Sequence, residues 1–353
     1  MRIGMIAPAW LPIPAPAYGG TETVVDTLTR GLRDAGHSVL LVCHPDSTCD
    51  VERCSVVPAE DTMRMGRASI ELEHAIGAYR LVQGCDVVHD HTLAGPALSL
   101  RYPRLPVVAT NHMPFTRTMS AIFGSACPPV ALVAISHSHA ASTDLPIARV
   151  VHHGVDLADF PTGDGGGGYV AVLSRMAPEK GVHRAIKVAR AAGVRLRIAA
   201  KMREPRELAY FEEFVEPHLG DDIEYIGEVD VDGKRALLAG AAALLNPIEW
   251  AEPFGMAMVE ALACGTPVVG SALGAAPEIV EHGVSGFLGS TDDALVEGLR
   301  SIGDIERDAC RRRVSEHFSV GRMVGGYEQV YRAQVTSFAT RDPRGSGVPF
   351  YTW

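Results

Sequence analysis

Two glutamates eight residues apart, Glu252 and Glu260, are the strongest candidates for chemistry in this chain. Glu252 precedes a Pro-Phe-Gly turn, whereas Glu260 lies inside an apolar run with the composition of a helix. Burying a carboxylate is unfavourable unless hydrogen-bond donors satisfy it. Glu260 therefore needs a partner with several donors, and a polyol such as ribose is one candidate. The pair predicts a site that binds hydroxyl groups.

The turn between the two glutamates offers a place for an anion. Its residues Phe254, Gly255 and Met256 stand where the predicted helix begins, and the first amides of a helix have no partner inside it. The helix dipole adds to their attraction for negative charge. One segment thus combines a phosphate cradle with two hydroxyl-binding acids, as expected of a sugar-nucleotide site.

Two cations five residues apart, Arg175 and Lys180, follow the first predicted strand of the second half. Arginine offers a planar fork of donors and lysine a point charge, and both suit a diphosphate. The alternative is a pair of solvated surface cations, the usual state of such residues. Their position after a strand favours the diphosphate.

Gly19 and Gly20 lie between the first predicted strand and a helix predicted over Thr23–Ala35. Glycines at such a turn let backbone amides approach a diphosphate, although a simple tight turn explains them equally well. This loop lacks the Gly-x-Gly-x-x-Gly pattern, so it does not predict a dinucleotide cofactor.

His112 follows an apolar run, where it can bind a substrate hydroxyl or stabilise charge, and a structural histidine is the alternative. The His89-Asp90-His91 sequence looks like a metal-binding pattern, yet adjacent residues of a strand point to opposite faces. No third ligand stands at a recognisable spacing. The sequence therefore predicts no metal site, with His91 as a possible cleft residue, and assigns no catalytic role to His152 and His153.

Composition excludes several classes of protein. The 353 residues carry a formal net charge of −10, whereas nucleic-acid surfaces are basic. The seven cysteines are odd in number and include no Cys-x-x-Cys pair, which is typical of reduced thiols. No apolar stretch approaches the roughly 18 residues of a membrane span, and the apolar start is too short for a signal peptide. We therefore expect a cytoplasmic protein without an integral membrane segment.

Short apolar runs alternate with helix-length segments in both halves of the chain. Runs without strict alternation of polar and apolar residues are typical of parallel strands buried on both faces. The pattern predicts an α/β protein with doubly wound parallel sheets. The predicted strands are Arg2–Ala7, Ser38–Cys43, Asp86–His89, Val107–Thr110 and Val130–Ile135, then Tyr169–Leu173, Leu196–Ala200, Ile223–Ile226, Ala242–Leu245 and Val268–Gly270.

The glycine-rich stretch Phe160–Gly168 is the strongest change of composition, and we interpret it as a flexible linker between two domains. The predicted domains cover residues 1–160 and 169–320 and face each other across a cleft at the carboxyl ends of their strands. Residues 321–337 have the apolar spacing of a helix, and residues 338–353 are predicted to form an irregular tail.

Taken in order, these motifs, together with His153-Gly-Val-Asp156, resemble the retaining glycosyltransferases of family 4. The resemblance covers residues 1 to about 335 and rests mainly on the paired glutamates and on the loop from Arg175 to Lys180. It implies the GT-B fold, in which two Rossmann-like domains face across a cleft. The acceptor would lie mainly on the first domain and the sugar nucleotide mainly on the second. The helix over residues 321–337 would cross back to the first domain.

The resemblance also implies a role for each motif. Arg175 and Lys180 would bind the donor diphosphate, and Glu260 would bind the ribose hydroxyls. Glu252 would hold the donor sugar, which His112 would contact from the opposite wall. The remaining donor contacts would come from the backbone of Gly19, Gly20, Val229, Phe254, Gly255 and Met256, and from the side chain of Lys234.

A mechanism follows from the same resemblance. Breaking the anomeric bond leaves negative charge on the diphosphate, which the two cations and the helix amides can stabilise. Similar enzymes retain the anomeric configuration by same-face attack, in which the departing phosphate takes the acceptor proton. No metal or other cofactor is required, because two cations replace the usual divalent ion. Among donors, UDP-sugars are favoured and GDP-sugars come next.

Other functions stay open at this point. A sugar-nucleotide 2-epimerase or hydrolase on the same fold would share the nucleotide site, and so would a non-catalytic sugar-nucleotide-binding subunit. The acceptor is a small molecule, a glycan or a lipid with a free hydroxyl. The apolar segments Trp10–Pro16 and Met113–Phe115 suit a hydrophobic or aromatic acceptor, although they can equally well pack on the domain.

Overall fold

The computed structural model describes residues 1–17, 19–63 and 65–340 and contains two parallel β-sheets. The first sheet has the order β3-β2-β1-β4-β5-β6-β7, and the second has the order β10-β9-β8-β11-β12-β13, for the strands bounded as follows. The strands are β1 Arg2–Ile6, β2 Ser38–Val42, β3 Glu52–Cys54, β4 Val87–Asp90, β5 Val107–Thr110, β6 Ala131–Ala134, β7 Ile147–Val150, β8 Val170–Arg175, β9 Leu196–Lys201, β10 Ile223–Gly227, β11 Leu244–Asn246, β12 Val268–Ser271 and β13 Gly286–Gly289.

Helices connect most of these strands. Within the part of the chain that the structure describes, none is long and apolar enough to cross a membrane. The α-helices are α1 Gly20–Asp34, α2 Ala59–Thr62, α3 Ala68–Leu81, α4 Gly95–Leu98, α5 Arg117–Gly124, α6 His137–Ala141, α7 Val182–Ala192, α8 Pro205–Phe214, α9 Val231–Gly240, α10 Met256–Ala263, α11 Ala276–Ile279, α12 Asp292–Arg300, α13 Arg307–His317 and α14 Val320–Thr340.

Buried apolar strands explain the two sheets. In β1, Ile3, Met5 and Ile6 are fully buried, and the strand pairs in parallel with β2 and β4. The same holds for β8, which pairs in parallel with β9 and β11 around its buried Ala171. Parallel neighbours need crossover connections, which are usually helical. The predicted α/β architecture with two doubly wound parallel sheets is therefore confirmed.

The strands that the sequence did not predict lie at the edges of the sheets. β3 and β7 are the outermost strands of the first sheet, and they expose Glu52, Arg53 and Arg149. β13 closes one edge of the second sheet and contains only two apolar side chains. Edge strands face solvent on one side, so they lack the continuous apolar run on which the prediction depended.

The glycine-rich stretch differs from its interpretation as a flexible linker. The amide of Gly163 donates to the carbonyl of Cys264 at 2.9 Å, and that of Gly167 donates to the carbonyl of Gly240 at 3.0 Å. Both acceptors belong to the domain built on the second sheet. The stretch is therefore bound to the surface of that domain and does not act as a free linker.

The chain crosses between the domains at two adjoining places. One crossing contains Val155 and the other contains Phe318 and Ser319. The amide of Val155 donates to the carbonyl of Phe318 at 2.9 Å, and Val155 forms a parallel bridge with Ser319. The two segments that cross between the domains are thus hydrogen-bonded to each other.

Helix α14 returns to the first domain and packs on it. Met323, Tyr327 and Tyr331 are buried in the same core as β1 and α1. The helix begins one residue before the predicted segment and continues to Thr340, so residues 338–340 are helical although they were predicted as tail. The rest of that predicted tail, residues 341–353, lies outside the described residues.

Candidate active site

A cleft of about 820 Å³ opens between the two domains. Residues that follow β1 and β5 line one side, the first-domain wall, and residues that follow β8 and β11 line the other, the second-domain wall. Ligands of doubly wound proteins bind at these carboxyl ends of strands. Every residue predicted for the site lines this cleft, namely Gly19, Gly20 and His112 on the first-domain wall and Arg175, Lys180, Val229, Glu252, Phe254, Gly255, Met256 and Glu260 on the second-domain wall.

The amide cradle lies at the start of α10. Gly255 precedes this helix with a φ of 109°, a left-handed conformation that favours glycine. A Cβ at this position would lie 2.4 Å from the terminal methyl of Met258, so that buried side chain would have to shift. No side chain caps the helix. Its first amides are therefore available to an anion.

Gly20 is the corresponding element of the first-domain wall. Gly20 was predicted to lie in the loop before the helix. In the structure it is the first residue of α1. A Cβ at Gly20 would meet no described atom within 4 Å, so its backbone borders open space. The N-cap residue, Gly19, has no side chain with which to cap α1, and the carboxyl of Glu22 accepts a hydrogen bond from the amide of its own residue. A second helix start can thus approach an anion in the cleft.

The lysines of the second-domain wall are paired with its two glutamates. Lys180 Nζ donates to Glu252 Oε1, and Lys234 Nζ donates to Glu260 Oε1. All four side chains are largely buried, with exposed fractions between 6% and 18%. Glu260 was expected to need a donor-rich partner, and an ammonium group supplies that need here. An anion that binds these lysines must share them with the two carboxylates or displace the carboxylates.

Arg175 belongs to a second ion-pair network. Its Nη2 donates to Glu179 Oε1 at 2.8 Å, and its Nη1 lies 3.5 Å from Glu207 Oε1. Lys201 Nζ lies 3.6 Å from the same oxygen of Glu207. The network holds the guanidinium of Arg175 at the carboxyl end of β8. The second-domain wall therefore carries charges of both signs in close contact.

Four histidine rings form a stack on the first-domain wall, the histidine column, which comprises His89, His91, His112 and His153. Successive ring centroids lie 4.0, 5.1 and 5.2 Å apart. Burial lowers the pKa of His112 to about 3 and lowers the pKa values of the other three well below the ordinary value. These imidazoles are therefore neutral at pH 7.

Two hydrogen bonds fix rings of the histidine column. His91 Nδ1 lies 2.8 Å from His112 Nε2, and His89 Nδ1 lies 2.8 Å from the hydroxyl of Tyr331. At the cleft, His153 packs against Phe254 of the second-domain wall, with ring centroids 4.9 Å apart. The column thus links α14 to the amide cradle.

Sequence reasoning missed three residues of the cleft. His153 was assigned no role, yet its ring stacks on His112 and is 3% exposed. Glu22 lies in the first turn of α1, and burial raises the pKa of its carboxyl. The ring of Trp250 lies 5.1 Å from Lys180 Nζ in a cation–π contact. Glu22 and Trp250 each adjoin a recognised motif, and His153 begins the His153-Gly-Val-Asp156 motif of the family resemblance, so each carried a signal in the sequence.

The apolar segments of the first domain divide between cleft and core. Trp10, Leu11 and Met113 line the cleft, and Met113 is 52% exposed. Ile13 and Phe115 are buried in the domain and do not line it. Only part of each segment is therefore available to an acceptor.

One group of three potential metal ligands occurs within residues that the structure describes. It comprises His137, His152 and Glu278, whose ligand atoms lie within 4.8 Å of one another, and none of them lines the cleft. Glu278 already accepts hydrogen bonds from the amides of His137 and Ser138 at 2.8 and 2.7 Å and from His152 Nε2 at 2.7 Å. The group joins α11 of the second domain to the first domain.

Comparison with protein-family models identifies both domains. Residues 18–159 match the model of glycosyltransferase family 4, and residues 161–316 match that of glycosyl transferases group 1. A phosphatidyl-myo-inositol mannosyltransferase of Mycolicibacterium smegmatis is 28% identical over 88% of this chain and 86% of its own length. The enzyme of the same name from Mycobacterium leprae is 26% identical over 89% of this chain and 90% of its own length.

Solved structures share the whole architecture. AviGT4, a glycosyltransferase involved in avilamycin A biosynthesis, is 25% identical, with a TM-score of 0.70 over 95% of this chain and 98% of its own. HepE of Anabaena, solved in complex with UDP and glucose, has a TM-score of 0.76 over 94% of this chain and all of its own, at 19% identity. The second likeness is one of fold alone.

Proposed function

We propose that this chain, which belongs to the family 4 glycosyltransferases of the GT-B fold, is a retaining enzyme that moves a hexosyl group from a nucleoside-diphosphate sugar to a hydroxyl acceptor. Glycosyl transfer itself is the activity of the family. The proposal adds the donor class, the stereochemical course and the residues that act. UDP-sugars are the preferred donors, and GDP-sugars are the alternative.

The observation that carries the proposal is the meeting of two cations, two glutamates and an uncapped helix start on one wall of the cleft. Lys180 and Arg175 lie where they can share the charge of a diphosphate with the amides at the start of α10. Glu252 and Glu260 provide oxygens for hydroxyl groups of the sugar and the ribose. A nucleoside-diphosphate sugar presents a diphosphate and two sets of hydroxyl groups, which this combination of groups can bind.

Charge development explains how the site acts. When the anomeric bond breaks, the diphosphate gains negative charge, and the ammonium, the guanidinium and the helix amides stabilise it. Lys180 then exchanges its partner Glu252 for phosphate oxygens. Glu252 is held by Lys180 before this exchange, which suits the binding of hydroxyl groups better than nucleophilic attack. We therefore favour same-face attack, with the departing phosphate accepting the proton of the acceptor.

The two cations also argue for a reaction without a divalent metal. Mg²⁺ in nucleotide sites is held by one or two carboxylates together with phosphates. On this wall, both glutamates are bound to lysines. The same lysines line the cleft and bring positive charge to it. The proposed reaction therefore needs no cofactor beyond the nucleotide sugar.

The acceptor binds on the first-domain wall. Trp10, Leu11 and Met113 offer apolar surface beside the histidine column. The mannosyltransferases of mycobacteria are named for phosphatidyl-myo-inositol, an acceptor with an apolar part and a hydroxyl-rich part. We propose an acceptor of that general kind for this chain, a hydroxyl attached to a hydrophobic or aromatic body.

A thermal-shift experiment tests the donor site. The full chain is melted with UDP, GDP and ADP and with UDP-glucose, GDP-mannose and ADP-glucose. A ligand that binds only the folded state raises the melting temperature by mass action. We expect one nucleotide series, first of all UDP, to stabilise the chain, and Glu260→Ala to reduce that shift. Glu297→Ala is the matched control, because this glutamate is 72% exposed on α12.

The same experiment can overturn the proposal. If no nucleotide raises the melting temperature at millimolar concentration, the cleft is not a nucleotide-sugar site. With the donor known, release of its diphosphate is followed with and without hydroxyl acceptors, and the anomer of the product is read by NMR. Release without any acceptor dependence would indicate a hydrolase, and an inverted product would exclude retention.

A further inference from the structure

His91 makes a contact that determines what His112 offers to the cleft. The two rings meet through His91 Nδ1 and His112 Nε2, 2.8 Å apart. The other nitrogen of His91, Nε2, lies 3.1 Å from the sulfur of Met5. Among the residues that the structure describes, none hydrogen-bonds the other nitrogen of His112, Nδ1. His112 lines the cleft and is partly exposed, so this nitrogen is the one left for a ligand.

The partners decide which nitrogen of each ring carries hydrogen. Both imidazoles are neutral, because burial lowers the pKa of His91 well below its ordinary value and that of His112 to about 3. A neutral imidazole has one donor and one acceptor, and its tautomer is inferred from its hydrogen-bond partners. The thioether of Met5 has no hydrogen to donate and is a weak acceptor. His91 Nε2 must therefore carry the hydrogen, or two lone pairs would face each other.

The rest of the assignment follows along the contact. With hydrogen on Nε2, His91 Nδ1 is an acceptor. His112 Nε2 must then be the donor of the 2.8 Å contact. A neutral His112 with hydrogen on Nε2 has a bare lone pair on Nδ1.

We propose that His91 is a positioning residue that fixes the tautomer of His112, so that His112 Nδ1 presents a hydrogen-bond acceptor to the cleft. Such a nitrogen binds a hydroxyl group that donates its hydrogen and gives no hydrogen bond to a group that can only accept. The recognised group is thus a free hydroxyl, and this part rests on the proposed function, which places a sugar in the cleft. A sugar in which this hydroxyl is replaced by hydrogen or by an O-methyl group could not donate the hydrogen bond.

The surroundings keep the tautomer in place. His153 stacks on His112, with centroids 5.2 Å apart, and its pKa is likewise lowered by burial. His89 and His139 are the other titratable groups nearby, and burial lowers both of their pKa values. The rings close to His112 are thus neutral, so no adjacent positive charge favours the other tautomer.

The tautomer can be measured without any ligand. The full chain is labelled with ¹⁵N-histidine, and long-range nitrogen–hydrogen correlation spectra distinguish the bare from the protonated ring nitrogen. The signals of His112 are those that vanish in His112→Gln. We expect hydrogen on Nε2 of His112 in the unmodified chain. Hydrogen on Nδ1 in that chain would overturn the proposal outright.

Two substitutions of His91 separate positioning from packing. His91→Asn keeps an oxygen near the place of Nδ1 and should preserve the tautomer. His91→Phe keeps a stacked ring but removes the acceptor, so His112 should shift largely to hydrogen on Nδ1. His153→Phe is the matched control, since this ring stacks on His112 without a hydrogen bond between them among the described residues. An unchanged tautomer in His91→Phe would contradict the proposed role.

Binding measurements connect the tautomer to the sugar. Affinities are compared for UDP with UDP-glucose and for GDP with GDP-mannose. In His91→Phe, the affinity for the nucleotide sugar relative to the free diphosphate should fall by about tenfold, the usual effect of one neutral hydrogen bond. The affinity for the free diphosphate itself should not change. His91→Asn should restore the loss. If the unmodified chain binds none of these ligands, the donor proposal fails, whereas the spectra still decide the tautomer.

Discussion

The two walls of the cleft solve the burial of polar groups in opposite ways. On the second-domain wall, each buried lysine is paired with a buried glutamate, Lys180 with Glu252 and Lys234 with Glu260. On the first-domain wall, no carboxylate of the described residues is hydrogen-bonded to a ring of the histidine column, and burial lowers the pKa values of its members instead. A buried ion is tolerated only with a partner, whereas an imidazole can become neutral.

This difference decides how each wall can receive a ligand. The second-domain wall must exchange partners, because its lysines are already paired with glutamates. It can therefore take up a diphosphate only if the phosphate competes with a carboxylate. The first-domain wall offers directed hydrogen bonds without any exchange of charge. We expect the second-domain wall to determine the rate of glycosyl transfer and the first-domain wall to determine which hydroxyl groups are recognised.

The largest effect is expected from Lys180→Ala. The substitution removes a cation that would stabilise the leaving diphosphate and leaves Glu252 as an unpaired buried carboxylate. Loss of one such group typically lowers kcat by about 10²- to 10³-fold. Lys187→Ala, at an exposed position of α7, is the control and should keep full activity. The rate of transfer from the identified donor is the measurement, and a loss of less than threefold would remove Lys180 from the mechanism.

The second effect is a selective loss of stability in acid. His89, His91 and His153 have folded-state pKa values far below their unfolded value near 6.5, so the unfolded chain binds protons that the folded chain does not. Their contribution to stability is present above that pH and is lost as the pH falls below it. Each can remove at most about 1.4 kcal/mol per pH unit. Asp90, whose pKa burial raises to about 6, opposes this loss over the same range.

Hydrogen exchange shows where this acid effect acts. Amides of β4 and β5, which carry the column, should lose protection between pH 7 and 5.5 after correction for intrinsic exchange. Amides of β8 and β9 should retain it, because these strands belong to the second sheet and do not carry the histidine column. Equal losses in both sheets would contradict the contrast between the walls.

The two walls also differed in how far the sequence could predict them. Glu252, Phe254, Gly255 and Glu260 lie in one short segment, so their chemistry could be recognised before their positions were known. The partner of Glu252 could not be recognised, because Lys180 is 72 residues away and only the folded sheet brings the two together. The prediction therefore named the binding groups and missed their mutual neutralisation.

The first-domain wall shows a different limit. His91 and His112 follow β4 and β5, which are neighbours in the sheet, so strand order alone could have suggested their contact. His153 comes from the crossing between the domains, where no periodic pattern exists. The fold itself was predictable wherever strands are buried and apolar, and it failed at the polar edge strands β3 and β7. The glycine-rich stretch was misread because its hydrogen bonds to the second domain leave no mark in its composition.

A third prediction concerns the exchange of partners on the second-domain wall. In Glu252→Gln, Lys180 no longer faces a carboxylate, so a free nucleoside diphosphate has no charge to displace. We expect its affinity to rise by up to about tenfold, while transfer becomes slower because a sugar contact is weakened. Isothermal titration with UDP and with GDP measures the first effect. Glu249→Gln is the matched control in the same segment, with a side chain that is 45% exposed. Weaker binding of the diphosphate in Glu252→Gln would show that Glu252 does not compete with the phosphate for Lys180.

The smallest effect tests how the far end of the histidine column is held. Tyr331→Phe removes the hydroxyl that lies 2.8 Å from His89 Nδ1, where both residues are fully buried. We expect the free energy of unfolding to fall by about 1 kcal/mol or slightly more, since water cannot replace the lost partner. Tyr225→Phe on the second sheet removes a hydroxyl bonded to Ala200 O at 2.9 Å from a half-buried ring. Because solvent reaches that ring, its loss should be smaller. Denaturant titration of both variants measures the difference. An equal loss would mean that the hydrogen bond between Tyr331 and His89 is as accessible to water as the one between Tyr225 and Ala200.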